Sequence, residues 1–445
     1  MNKNVICVID GAAGSCGKGK VIGEILTDET INITASITNC MPNAGHTFVD
    51  AKTKRVFKNI PIGIINPHTE LFIGPGSAID MDDFIKEYES VKDLLGIRKI
   101  YVHEMVPLIK KHHKEYEATH IKSGSTHKGC GAVVQDKIIR NPNLEFFKGY
   151  KNAISCSNSE YHERLLKHLE NRAGYVLLEG AQGCDLSLNH SGNYPYVTSR
   201  NVSSAQLLAD SGISPERLLE TIMVIRPFPI RINNFNQFGE FNYTGNYGTA
   251  QELTWSQINI ASLMGNYPTS YDFLYLDYVL DKNYLQFLLE ETPLIFIKQI
   301  FQDEPVNINK IKLLQALELE RLFYKSINVK KYKSEIITLP DNMLIEDLSE
   351  QTTVTKMERR IFDLDINKLK LNCSINSPYG LYLNFFHHLD ILYHHVSGNY
   401  NEIYFNRYLR NYLNWLEENT NTDILALGTG PKNFERILKR DLIKR

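Results

Sequence analysis

Apolar residues fall along this chain in short β-branched runs, separated by glycine-rich turns and amphipathic stretches. Val5-Ile6-Cys7-Val8-Ile9 shows no polar alternation, which predicts a strand covered on both faces, as in a parallel sheet. A glycine-rich turn through Gly11, Gly14, Gly17 and Gly19 follows, and Val21–Leu26 predicts a helix after it. Ile31–Ile37 alternates as a second strand, and Leu71–Gly74, Lys99–His103 and Tyr175–Leu178 are further short strands, with an amphipathic helix over Asp82–Leu95. Thr221–Ile232 reads as a strand ended by a proline pair, Gly380–Asp390 as a strand, Tyr404–Glu417 as a helix and Asp423–Leu427 as a strand. With no repeat or linker in between, the pattern predicts an α/β fold: one doubly wound, mostly parallel central sheet with flanking helices. Residues 1–445 are expected to form a single domain with a large insertion at about 262–345, where no motif can be attached to chemistry.

The turns are where chemistry collects. Gly14-Ser15-Cys16-Gly17-Lys18-Gly19-Lys20 resembles a phosphate-binding loop, but not the common form, which needs glycine at Ala12 and Ser or Thr at Gly19. Lys18 and Lys20, one residue apart in a glycine turn, should repel each other unless an anion sits between them, which points to a nucleotide phosphate rather than a plain strand–helix connection. Asn43, His46 and Thr47 crowd polar groups around Gly45 just past a strand end, where open α/β sheets bind ligands. Gly124–Gly131, with Ser125 and Thr126, is a second donor-rich loop; Arg140 beyond it is either a ligand or a solvated helix-face charge. Gln182, in the glycine turn after Tyr175–Leu178, can donate to and accept from a purine edge. Glu350–Arg360 packs hydroxyls and arginines into one turn, either a carboxylate clamp or a charged surface loop.

Composition narrows the classes. The chain is 43% hydrophobic and 22% charged over 445 residues, with a formal net charge of -2 and no long basic run, which argues against a nucleic-acid polymer as partner. Its 7 cysteines are odd in number and scattered without a C-x-x-C pair, so neither a disulfide framework nor a zinc site is expected. Cys16, Cys130 and Cys184 sit in glycine-rich segments and read as small, semi-buried residues. The N-terminus enters a strand without a signal-peptide pattern, and no apolar run reaches membrane-spanning length; a cytoplasmic protein away from membranes is expected.

With these segments in place, the chain resembles the adenylosuccinate synthetases, ligases that join aspartate to the purine 6-position using a nucleoside triphosphate. The resemblance rests on GSCGKGK (14–20), NAGHT (43–47), GSTHKGCG (124–131) with DKIIR (136–140), EGAQG (179–183) with YPYVTSRN (194–201), TTVTKMERR (352–360) and, more weakly, GTGP (428–431). It implies that a γ-phosphoryl group goes to O6 of a purine monophosphate, and that the aspartate amine displaces it. It further implies His46 as general acid, an imidazole with a near-neutral pKa, Lys18 and the loop N–H groups on the transferring phosphoryl, and Gln182 on O6. Ser15, Cys16, Gly17, Gly19, Lys20, Thr47, Asn384, Gly428, Gly430 and Pro431 would line the triphosphate site, with Mg²⁺ on the Gly45 carbonyl and Ser15 as a further ligand. Asn43, Ser125, Thr126 and Thr198 would hold the monophosphate, with Arg140 reaching in from the second subunit of a homodimer. Thr352, Thr353, Val354, Thr355 and Arg359 would hold aspartate.

Departures from the family pattern bear on the substrates. The family's loop reads G-D-E-G-K-G-K, and its aspartate takes the purine N1 proton and helps bind Mg²⁺; here Ser15 and Cys16 stand in those places. The guanine-reading T-K-L-D aligns with Asn384-Phe385-Phe386-His387, so ATP rather than GTP is expected as donor. Met357 falls where a ribose-contacting arginine should be, while Arg359 and Arg360 align. These changes resemble the phage-associated branch that aminates dGMP on the way to 2-aminoadenine nucleotides. An ordinary IMP-using enzyme and a nucleotide-binding pseudoenzyme are the alternatives.

Overall fold

The computed structural model describes residues 2–444 apart from 52, 122–125, 236–240, 242, 256–257, 259–261, 263–336, 339–343, 346–349, 352–357 and 406. Most of the expected insertion at 262–345, and with it Ser125, Met357 and the 352–355 stretch, lies outside the described residues.

The first apolar run forms β1 (Val5–Asp10), every residue of which is buried. Val5, Cys7 and Ile9 face one core cluster while Ile6 and Val8 face another, so both faces of the strand are covered, as a run without polar positions requires. A 12-stranded sheet surrounds it, in the order Gly398–Asn399, Arg436–Leu438, Ile424–Gly428, Gly380–Leu383, Leu218–Ile225, β1, Tyr175–Glu179, Ile33–Thr38, Glu70–Ile73, Ile100–His103, Ala153–Cys156, Gly149–Tyr150. Neighbours run parallel except where Arg436–Leu438 meets Ile424–Gly428 and where Gly149–Tyr150 meets Ala153–Cys156.

This topology positions the site. β1 is flanked by two strands that arrive much later in the chain, with Asp10 opposite Val224 and Val8 opposite Glu179. Thr38 also pairs with Glu179, and Ile225 with Leu383. Parallel pairing therefore brings the carboxyl ends of these strands, and the turns that follow them, to one edge of the sheet, the edge at which open α/β sheets bind ligands.

Several predicted elements differ. α1 (Lys18–Thr27) starts earlier than Val21, because Gly17 takes a left-handed φ of 87° and turns the chain directly into the helix. Of Gly380–Asp390 only Gly380–Leu383 is strand; Phe385 turns left-handed at φ 58° and Phe386–His388 coils into a 3-10 turn. The late amphipathic helix runs Arg407–Thr420, shifted toward the C-terminus. The predicted strand Thr221–Ile232 divides: Leu218–Ile225 stops before the proline pair, and Ile230–Arg231 pairs antiparallel with Arg360–Phe362 in a separate sheet. All seven cysteines are buried and free. No described helix is long and apolar enough to cross a membrane.

Candidate active site

The glycine loop is clamped from behind. A Cβ at Gly17 would lie 2.1 Å from Asn384 Nδ2, and one at Gly428 2.1 Å from Asn384 Oδ1. Asn384 is buried and donates to the Cys16 carbonyl at 3.1 Å, so its amide ties the loop to the end of Ile424–Gly428. α1 begins without a capping side chain and without an acidic residue in its first turn, which leaves its positive end open to an anion.

The two lysines do not face a common anion. Lys18 Nζ reaches Asp10 Oδ2 at 2.8 Å and the Gln182 carbonyl at 2.9 Å. Lys20 Nζ pairs with Glu24 at 3.6 Å, donates to the Glu435 carbonyl, and lies 5.9 Å from the Tyr382 ring centroid. Each ammonium thus has its own internal carboxylate, which corrects the expectation from sequence: repulsion between the lysines is relieved within the fold and does not by itself demand a phosphate. Lys18 stands at the sheet edge, whereas Lys20 is built into the packing under α1.

His46 opens the hairpin His46–Val49/Lys54–Phe57, and α1 packs so closely on this strand that a Cβ at Gly19 would be 2.3 Å from the Thr47 carbonyl oxygen. The imidazole is buried with Nε2 unpartnered, and burial, with a smaller effect of the Lys18 charge, pushes its pKa down to about 3. It is therefore a neutral donor and acceptor here, not the near-neutral titrating group expected from the resemblance. Between about 3 and the unperturbed 6.5 the unfolded chain binds the extra proton, so His46 withdraws stability as pH falls through that window. Glu87, Glu179 and Glu220, raised to about 7 by burial, act in the opposite sense as pH rises, so the difference from wild type is the informative quantity. His46→Asn should flatten the acid limb of urea stability by up to ~1.4 kcal/mol per pH unit. Parallel acid limbs for the two proteins would show that the ring is not held neutral.

Ser15 is exposed at φ 55°, and its Oγ accepts from Arg359 Nη1 at 3.0 Å. Its carbonyl accepts from Arg226 Nη1 at 3.2 Å. Arg226 is fully buried, lies 4.1 Å over the Phe385 ring and pairs with Glu350, whose carbonyl takes the Arg359 N–H at 2.8 Å. The arginine-bearing segment is thus stitched to the glycine loop. Arg360 is spent elsewhere, on Glu252 at 2.8 Å and on Asn234 and Thr244. Asp10, Arg226 and Glu350 escaped sequence reasoning. For the first two a signal existed, since each is a charged residue closing an apolar strand run.

The remaining candidates scatter more widely. Asn43 is half-buried and Gly45 exposed on the turn after Ile33–Thr38; Gln182 is half-buried at φ 64°. Thr198 is half-buried, its N–H bonded to the Leu186 carbonyl at 2.8 Å. Gly430 is buried beside His395, and Pro431 is exposed. Thr126 is exposed, and Arg140, exposed at φ 58° just past the helix Cys130–Ile138, has no described contact with its own glycine loop. For Mg²⁺, a hard cation wanting oxygen ligands, the exposed Gly45 fits as a carbonyl donor, while Ser15 Oγ, already accepting from a guanidinium, fits poorly. The structure brings together a helix N-terminus, an ammonium, a neutral imidazole, an amide and an arginine, a set suited to positioning a phosphoryl group and a carboxylate around a polar ring.

The adenylosuccinate synthetase family model matches residues 8–148 and 142–245. The N6-succino-2-amino-2'-deoxyadenylate synthase of cyanophage S-2L is 32% identical over 252 residues, covering 54% of this chain and 67% of that protein. Its counterpart from Vibrio phage phiVC8 is 34% identical over 271 residues, covering 58% and 74%. An adenylosuccinate synthetase from Pyrococcus horikoshii is 31% identical over 232 residues, covering 51% and 66%. Among solved structures, the cyanophage S-2L succinoaminodeoxyadenylate synthetase, bound to dGMP and to dATP as an energy donor, aligns with a TM-score of 0.67 at 23% identity, over 98% of this chain and 96% of the other.

Proposed function

The chain belongs to the adenylosuccinate synthetase family of carbon–nitrogen ligases, which join aspartate to a purine nucleotide, and from that premise we propose dGMP as its acceptor, ATP as its donor and a 6-phosphoryl purine as its intermediate. The observation that carries the acceptor is Ser15: a hydroxyl held by Arg359 stands where the family has a carboxylate. Guanine differs from hypoxanthine by its 2-amino group, and a smaller side chain both makes room for that group and accepts from it. The similarity to phage synthases whose product carries the 2-amino and 2'-deoxy groups supports the same choice.

In this mechanism O6 attacks the γ-phosphorus and ADP departs; the aspartate amine then attacks C6 and phosphate leaves. Lys18 and the first turn of α1 hold the transferring phosphoryl group. His46, neutral and with a free ring nitrogen, donates a hydrogen bond as charge grows on the bridging oxygen. Gln182 binds O6; Asn43, Ser125, Thr126 and Thr198 hold the monophosphate; Arg359 with 352–355 holds the aspartate carboxylates. Mg²⁺, when bound at the Gly45 carbonyl, neutralises phosphate charge. For the donor, no carboxylate stands at His387: the ring is buried, held neutral by its burial and by neighbouring histidines and cations, and stacked 4.4 Å from His394, so it offers no anionic acceptor for the N1–H and 2-amino donors of guanine, which favours ATP. Arg140, beside the exposed Ile138 and Ile139, would enter the site of a second subunit. Sedimentation as a fully active monomer would overturn the shared site.

Steady-state kcat/KM for dGMP, GMP, IMP and dIMP, with aspartate and either ATP or GTP, tests the reading. A preference for dGMP by about tenfold or more is expected, since a missing or unpaired hydrogen-bonding group shifts discrimination by at least that factor. A preference for IMP, or equal use of GTP, would refute the assignment concerned.

A further inference from the structure

We propose that Asp10 takes the purine N1 proton, replacing the carboxylate that the glycine loop lacks at Ser15. The inference rests on the phosphoryl-transfer reading above, because N1–H must leave as O6 is phosphorylated. Asp10 ends β1 at the carboxyl edge of the sheet and is fully buried. Its Oδ2 accepts from the Cys16 N–H at 3.1 Å and from Lys18 Nζ at 2.8 Å; the Cys16 thiol, a weak donor, lies against the same carboxylate, and Oδ1 has no N–H or O–H partner. A buried carboxylate oxygen without a donor calls for explanation, and a ligand N–H would complete it. Lys18 Nζ also donates to the Gln182 carbonyl at 2.9 Å, so one ammonium separates the carboxylate from the residue assigned to O6. On the purine, N1 is the neighbour of the carbon that bears O6.

The other acids nearby are engaged differently. Glu179 accepts on both oxygens, from Ser36 and from the N–H groups of Ile62 and Gly63; Asp185 leaves its Oδ2 unpartnered too, but its Oδ1 accepts from Lys368 and Asn372, away from Lys18 and the Gln182 carbonyl. Ser15 Oγ faces a guanidinium, which disfavours its taking a proton.

The step balances as follows. The C6=O π pair forms the O6–P bond, the bridging oxygen leaves with ADP, the N1–H pair becomes the N1=C6 double bond, and the proton passes to Asp10 Oδ1. Lys18, turning from Asp10 to the transferring phosphoryl, withdraws the carboxylate's counter-ion as the proton arrives. Asp10 returns its proton to solvent after the product leaves.

Asp10→Asn keeps the shape and removes the base. Positional isotope exchange in ¹⁸O-labelled ATP, run on the full chain with dGMP and without aspartate, reads the phosphoryl step alone. Exchange and kcat should both fall by about 10²-fold or more, with the dissociation constants of ATP and dGMP changing by less than about threefold. Retained exchange, or loss of ATP binding in step with activity, would show that Asp10 only holds Lys18. Because Asp10→Asn also leaves Lys18 unpaired, Ser15→Asp is added to it, returning a carboxylate to the loop. Recovery of exchange by about tenfold supports the proposal, and no recovery in a folded double variant overturns it. IMP carries the same N1–H, so repeating the series with IMP separates failure of the dGMP assignment from failure of Asp10.

Discussion

Lys18→Met should abolish turnover and destabilise the fold together. The ammonium and its partner Asp10 have side-chain exposures of only 4% and 0%, so removing one charge strands the other in a dry interior. Breaking a buried pair in this way costs about 3–5 kcal/mol. In the proposed mechanism Lys18 is the cation on the transferring phosphoryl, so its loss should lower kcat by a further ~10²–10³. Urea midpoints and a phosphate-release assay measure the two effects. Lys18→Met/Asp10→Asn should regain most of the stability without regaining activity, since it removes the orphaned charge but not the need for the ammonium. An unchanged urea midpoint in the single variant would mean that the two side chains are solvated apart.

Gly183→Ala should be nearly as severe, for a purely steric reason. Gly183 has φ -123°, which any residue adopts, so backbone preference plays no part. A Cβ there would lie 2.0 Å from the Ala12 carbonyl oxygen and 2.4 Å from the Gly14 nitrogen, both main-chain atoms of the glycine loop. Neither can yield without dragging the loop off Lys18 and Asp10, so a loss of roughly 3 kcal/mol and most of the activity is expected. Gly96→Ala is the control: at φ 57° and ψ -128° with nothing within 4 Å, it carries backbone strain only, roughly 1–3 kcal/mol, at a site remote from the loop, and should leave turnover intact. If the two variants melt alike and both turn over, the turn at Gly183 does not pack against the loop as described.

Much of the site was readable because its motifs are local. A strand, a glycine turn and a helix are neighbours in sequence, so GSCGKGK, NAGHT and EGAQG marked strand ends before any contact was known. What they leave unspecified is orientation. Asn384 aligns with a ligand-binding position, yet its amide is spent on the Cys16 carbonyl between Gly17 and Gly428. Arg359 and Arg360 are adjacent in the motif, but one turns to Ser15 and the other to Glu252.

Hydrophobic patterning determined the fold class and the central place of Val5–Ile9, and the ordered motif blocks determined the family, because burial on both faces and glycine turns are properties of consecutive residues. Only the tertiary structure decided the charge pattern of the site. Whether Lys18 answers to Asp10, Lys20 to Glu24, and Arg226 to Glu350 depends on which groups the parallel register brings to one edge. Burial at that edge also sets the protonation of His46. Coulomb and desolvation energies act through space and depend on the surrounding medium, and neither distance nor burial is a function of position along the chain.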